Sequence, residues 1–407
     1  MRSMSKRSIA GMFAVVLILA VAAVVWLADA QFSFGAYPEA SGIGKGAKDF
    51  PDLSLRFETL AREKGAGYAF EVLKRAYLPP NTDLHLLGHT VGDELYKQKG
   101  VPGIAECTPD FRNACSHAIV VGALNEFGGQ KALALIKDAC SKAPGGPGAY
   151  TMCYHGLGHG VFAFHGYDLV KTVDFCRKTG TEEHHMNEYV ECVGGSIMEL
   201  MGGGGHDRDF WLKARGKYYD PRDPLAPCST GVIPAEAKGY CYLYITPHLF
   251  EAAGADLAVP GPEHFAKAFT YCDGISKNTP ELRQACFGGI GKEFPVLAME
   301  RDIRSVPDAT DAQLSKMRTW CALAPHPEAY EYCTQSILSS LYWGGENNPK
   351  AAIRFCALAD SRELPECFRS VFREASQYLK PKSEEGARLC SQVPEESKAD
   401  CRTALSL

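Results

Sequence analysis

The 407-residue chain lacks the short motifs that most enzyme classes need. No G-x-S-x-G, no H-E-x-x-H and no phosphate-binding glycine loop occurs, which sets aside serine hydrolases of the elbow type, zincin proteases and P-loop enzymes. No C-x-x-C occurs either, so ribbon-type zinc and ordinary iron–sulfur spacings are excluded, and without C-x-x-C-H there is no covalent c-type haem. There is no run of five like charges, and a formal net charge of −5 gives no reason to expect nucleic acid or an anionic membrane surface as partner. What is present is ordinary globular material: 46% hydrophobic and 22% charged residues suffice for a large core.

One long apolar run stands at the N-terminus, from Ile9 to Leu27, behind Arg2, Lys6 and Arg7. Positive charges stay on the cytoplasmic side, so the run reads as an export element. Ala28-Asp29-Ala30 is a small-x-small cleavage site, while 19 apolar residues exceed the usual signal length. The expected organisation is residues 1–8 as cytoplasmic N-terminus, 9–27 as transmembrane anchor or long signal sequence, 28–50 as flexible tether and 51–407 as the folded domain. A single-pass cell-membrane protein follows, its bulk periplasmic or extracellular and its membrane contact confined to the N-terminal helix.

The sixteen cysteines fall into sequential pairs. Members of a pair have 7 to 15 residues between them, and successive pairs 22 to 35. The first cysteine usually ends a helix-like run (ALALIKDAC, VKTVDFC, AKAFTYC) and the second opens another (CYHGLGHGVF, CVGGSIMELM, CFGGIGKEF). In an exported chain an even count points to disulfides. The expected bridges are Cys107–Cys115, Cys140–Cys153, Cys176–Cys192, Cys228–Cys241, Cys272–Cys286, Cys321–Cys333, Cys356–Cys367 and Cys390–Cys401, each across the loop of a helical hairpin. The unit length of about 34 to 50 residues is that of helical arrays whose units must stack to hide their apolar faces. The expected fold is all-α, a right-handed-type α-solenoid of about eight or nine stapled hairpins. Over residues 66 to 407 this architecture resembles the tetratricopeptide and Sel1-like helical-hairpin repeats, including cysteine-rich exported versions, although W-x-x-L-G-x-x-Y is missing and DPLAPCST around Cys228 does not look helical.

Aligning the second helices on their cysteines brings the histidines into register. DLHLLGH from Asp83 lies over CYHGLGH from Cys153, so His85 matches His155 and His89 matches His159, and CSHAIVVGAL adds His117 to the first column. Four and eight residues after the reference stand Leu87, Ile119, Leu157 and Val91, Ala123, Val161, the core face. At about 100° per residue the histidine columns sit roughly 105° to 145° away, which predicts a solvent-facing stripe. In the C-terminal units the same columns hold Gln335 with Ser339 and Arg369 with Arg373.

Histidines at i and i+4 can reach one ion, and a stacked helix about 8–10 Å away can supply a third ligand. His85, His89 and His117 therefore form one candidate set, and His117, His155 and His159 another. Imidazole suits zinc, copper or iron. Asp93 is a possible additional carboxylate, with His165 and Glu199 as weaker candidates. Helix packing accounts best for most of Gly88, Gly156, Gly158 and Gly160, because glycines also crowd VGGSIMELM and CFGGIGK, where no histidine follows. His184 and His185 read as a solvated turn and His206 as a loop residue; His248, in YITPHLF, lies close to the stripe behind a proline that leaves its direction open, and His264 and His326 carry no pattern. No residue is assignable as nucleophile, so catalysis is left open. The expected function is transition-metal binding on the N-terminal half; the competing expectation is a metal-free interaction scaffold for a cell-envelope protein.

Overall fold

Side-chain caps begin the helices at the places where hydrophobic periodicity begins. Asp49, Asp83, Asp168, Thr310 and Ser383 each accept a hydrogen bond from the backbone N–H three residues on, which satisfies a donor that the helix leaves unpaired. Gly65, Gly100 and Gly128 end helices with positive φ. The computed structural model describes residues 36–144, 146–202, 208–256, 259–343 and 348–407, and among them the chain is all-α with no strand.

Nine helices form a consecutive series, each packed on the one before. They are α1 (Phe50–Lys64), α2 (Leu84–Lys99), α3 (Asp110–Phe127), α4 (Gly146–Phe164), α5 (Asn187–Gly202), α6 (Lys238–Tyr244), α7 (Pro280–Ala298), α8 (Pro327–Trp343) and α9 (Leu364–Tyr378). Shorter helices lie between them, such as Gly129–Lys142 against α3 and α4. The two core columns are buried along the whole series, from Leu87 and Val91 to Val371 and Ala375. The cysteines form eight disulfides, Cys107–Cys115, Cys140–Cys153, Cys176–Cys192, Cys228–Cys241, Cys272–Cys286, Cys321–Cys333, Cys356–Cys367 and Cys390–Cys401, with no free thiol.

Neighbouring helices approach through glycine. A Cβ on Gly158 of α4 would lie 2.0 Å from the Cys192 carbonyl oxygen, and one on Gly195 of α5 would lie 1.9 Å from the His155 carbonyl oxygen. The two backbones are in direct contact there, which only a residue without Cβ permits.

The segment after α7 returns to the loop before α2. The Asn81 N–H donates to the Glu300 carbonyl at 2.9 Å, and Arg304 Nη1 donates to the carbonyls of Leu73 and Ala76 at 3.0 and 2.8 Å. This closure corrects the expected solvent-facing stripe. His117, His155 and His159 are 1%, 1% and 6% exposed, because the face opposite the core columns lies on the inside of the closure. Only at the C-terminal end is the stripe open, where Arg369 and Arg373 are exposed and pair with Glu366.

Two further expectations are corrected. Residues 36–50 are not a free tether: Ala40 is fully buried, and Arg56 Nη1 donates to the carbonyls of Ile43 and Lys45 at 2.9 Å. They lack a helical period because side chains of α1 and a short 3-10 turn (Pro38–Ser41) hold them. The single-pass transmembrane placement is also not sustained: among the described residues no helix is long and apolar enough to cross a membrane. The apolar run 9–27 on which that expectation stood lies outside the described residues, as do residues 1–8 and His206.

The α4–α5 contact gives a direct test. Gly195→Ala should lower stability by about 1–3 kcal/mol, since a backbone carbonyl cannot rotate out of the way as a flexible side chain can. Gly239→Ala on α6, where an added Cβ meets nothing within 4 Å, should raise it by about 0.5–1 kcal/mol. Thermal melts of the two variants beside the parent decide the matter; a neutral Gly195→Ala would show that the helices do not touch there.

Candidate metal centre

The Asp83 cap fixes where α2 starts, and its first two turns present His85 and His89 on one side. Helix α3 packs beside α2 and contributes His117; α4 packs beside α3 and contributes His155 and His159. The five rings form a contiguous cluster. Centroids are 4.5 Å apart for His85 and His89, 5.4 and 5.5 Å from these to His117, and 5.9 Å from His117 to each of His155 and His159.

The cluster is not uniform. One ring nitrogen from each of His85, His89 and His117 lies within 4.8 Å of the other two, and among the described residues no other group of three His, Cys, Asp or Glu side chains comes as close. The alternative set of His117, His155 and His159 is therefore adjacent but wider.

Hydrogen bonds explain the difference. His85 Nδ1 lies 2.7 Å from the Phe111 carbonyl, which only accepts, so Nδ1 carries the proton and Nε2 the lone pair. That Nε2 faces Nε2 of His89 at 3.0 Å. Two nitrogens bound to one ion at about 2.0–2.1 Å stand about 3–3.4 Å apart, so the pair already has the spacing of two ligands. His155, by contrast, is engaged at both nitrogens, with Glu191 Oε2 at 3.2 Å and Met198 Sδ at 3.4 Å. His159 is intermediate: Nδ1 is held by Glu199 Oε2 at 3.0 Å, and Nε2 is buried with no hydrogen-bond partner. A carboxylate on one nitrogen and a bare second nitrogen is the arrangement of a metal-binding imidazole.

His117 is the anomaly. Both of its ring nitrogens are buried and neither has a hydrogen-bond partner. Leaving a buried polar atom unsatisfied costs about 1–3 kcal/mol, and this side chain has two. Burial, then the four surrounding histidines, pushes His117 well below the ordinary imidazole range; burial and then His159 does the same to His155. Burial lowers His85 to about 4. These three rings are thus neutral, the form that binds metal. Burial raises Glu191 to about 7, and it lies 3.2 Å from Nδ1 of His155.

The backbone that orients His85 is itself unusual. Phe111, Arg112 and Asn113 all have left-handed conformations, with φ of 54°, 58° and 62°. A left-handed residue other than glycine costs about 1–2 kcal/mol, somewhat less for Asn. The Cys107–Cys115 disulfide closes a ring across these three residues.

The remaining histidines and acids fall into place around the cluster or away from it. Asp93 and Glu199 line the same cavity as His85 and His89 without joining the close trio. His165 sits against Phe164 and Phe175, and His184 against Tyr150. His248 stacks on Tyr219 at 3.8 Å, His264 caps a helix at Gly261, and His326 contacts Asp273 and Arg283. Glu191 and Arg112 lie off the aligned columns, where no signal pointed to them; Met198 stands in the second histidine column, six residues after Cys192, at a position where no ligand was expected. Glu199 was visible as a candidate, though its role as partner of His159 was not.

Replacing Cys107 and Cys115 by Ser together should destabilise the protein by about 2–3 kcal/mol on the chain-entropy model. The loss should be accompanied by release of the Phe111 carbonyl from His85, seen as a changed His85 imidazole resonance. An unchanged resonance would show that the ring does not hold the left-handed turn in place. Comparison with known proteins contributes no relative: no family model, curated protein or solved structure matches the chain, so the likeness to helical-hairpin repeats rests on period and cysteine placement alone.

Proposed function

We propose that the chain binds one transition-metal ion, zinc, copper or iron, through His85, His89 and His117. The carrying observation is His117, a buried imidazole with two unpartnered nitrogens beside two Nε2 atoms already at ligand spacing. Three imidazoles leave at least one coordination position for water or another ligand. His159, its Nδ1 tied to Glu199 and its Nε2 bare, stands where it can complete the set or hold a metal-bound ligand. The scaffold reading is the weaker one: of the stripe it would present, His117, His155 and His159 are buried, and the exposed Arg369 and Arg373 already pair with Glu366.

We also take the architecture to be an α-solenoid of stapled hairpins, curled until the segment after α7 meets the segment before α2. The support is the unbroken succession from α1 to α9, a disulfide at most of the intervening loops, and the bonds between residues 73–81 and 300–304. In this reading the metal lies on the inner wall of the curl.

Protein purified without a polyhistidine tag should contain roughly one ion per chain, and a His85→Ala/His89→Ala/His117→Ala variant almost none. Chelation should lower the melting temperature of the parent and leave the variant unmoved; at an ion concentration of about 100 Kd the lost stabilisation is about 2.7 kcal/mol. Equal and negligible metal in both proteins, measured by elemental analysis, would end the proposal.

A further inference from the structure

A cavity of about 300 Å³ borders the histidine cluster, and His85, His89 and His159 form one of its walls. Facing them are Lys292 and Glu293 of α7 and, beyond the end of that helix, Ile303. Arg112 also lines this space. Its place is set by the left-handed backbone at φ 58° and by the Trp343 ring, whose centroid is 5.0 Å from the guanidinium carbon.

The guanidinium is poorly provided for. Nε and Nη2 are both buried and without a hydrogen-bond partner. Lys292 is not in the same position: it pairs with Glu293 at 2.5 Å and lies 4.9 Å from the Tyr244 ring centroid. Arginine stays charged in proteins, so a buried fork with idle donors calls for an anion with two acceptor oxygens.

Charge and shape narrow the class. Apart from the histidines, three cationic and four acidic side chains line the cavity, one net negative charge. A divalent ion would make this one net positive charge, and a monoanion would bring it to zero, whereas a dianion would overshoot. The rest of the lining is apolar, with Met198, Phe250, Val296 and Leu297. Apolar walls with a few converging polar groups are how proteins hold small organic ligands.

We infer that the cavity binds a small organic monocarboxylate, its carboxylate gripped by Arg112 and directed at the open position of the ion on His85, His89 and His117, its apolar body against Phe250, Val296 and Leu297. The coordination half of this inference rests on the proposed metal; the Arg112 half does not.

The test is calorimetric titration of benzoate into the full chain as purified, with benzyl alcohol as the neutral analogue and inorganic phosphate as the dianion. Arg112→Asn removes the charge with a residue that tolerates a left-handed backbone, and Arg112→Lys keeps the charge without the planar fork. Benzoate should bind the parent at least about tenfold more tightly than either comparison ligand, and at least about tenfold more tightly than it binds Arg112→Asn, with Arg112→Lys between the two. Metal content and melting temperature of each variant are recorded alongside. Benzoate binding that ignores Arg112, or that benzyl alcohol equals, overturns the inference even if the protein holds its metal. Arg112-dependent binding to a chain that contains no metal would uphold the carboxylate site and overturn the metal proposal instead.

Discussion

Direct backbone contact between neighbouring helices governs the rest of the structure. Where α4 meets α5, no side chain separates the helices, and carbonyl oxygens lie at positions that a methyl group would have to occupy. The same device recurs where Gly291 of α7 meets the Cys333 carbonyl oxygen of α8, and glycine also makes room for the Ala114 methyl at Gly88 and for the His117 ring at Gly156. With ordinary side chains at these crossings the helices would stand farther apart and the imidazoles of adjacent helices would not come within 6 Å of one another. Glycine is a poor helix residue, giving up about 1 kcal/mol relative to alanine, and the packing it permits offsets that loss.

The periodicity of the sequence revealed the helices, the cysteine pairing pattern and the columns that form the core, because these depend on local spacing of 3.6 residues per turn and on loops of 7 to 15 residues. It also placed five histidines in register. It did not reveal which way that register faces. The angle between the histidine columns and the core columns is a property of one helix, whereas enclosure of the stripe depends on bonds from Arg304 to Leu73 and Ala76, more than two hundred residues away. No local pattern carries such information. Arg112 was illegible for a different reason: TPDFRNAC reads as an ordinary helix start, and nothing in it announces three successive left-handed residues. The membrane-spanning expectation came from the apolar run 9–27 behind three basic residues, which lies outside the described residues, and it has no counterpart among the described helices.

The inner face sets two kinds of polar group side by side. His155 is held at both nitrogens, by Glu191 and Met198, whereas His159 has Glu199 on one nitrogen only. His117 and Arg112 are provided for least: both ring nitrogens of the one and Nε and Nη2 of the other have no hydrogen-bond partner. Folded proteins rarely tolerate such groups without a reason, and incompletely satisfied polar atoms gather where something other than protein is to be held. Their proximity to one cavity is what joins the metal and carboxylate proposals into a single chemical picture.

The closure of the chain on itself has a consequence for the order of assembly. His85, His89 and His117 lie within 33 residues of sequence and belong to two adjacent helices, so they need only local folding to meet. The wall that encloses them, from Lys292 to Arg304, is synthesised some 175 residues later, and contacts of such long separation form slowly. A nascent chain therefore presents its imidazoles to solvent first and covers them afterwards. On the proposed metal reading an ion would enter most easily during biogenesis, before that wall is in place, and exchange in the finished molecule would require residues 300–304 to part from residues 73–81.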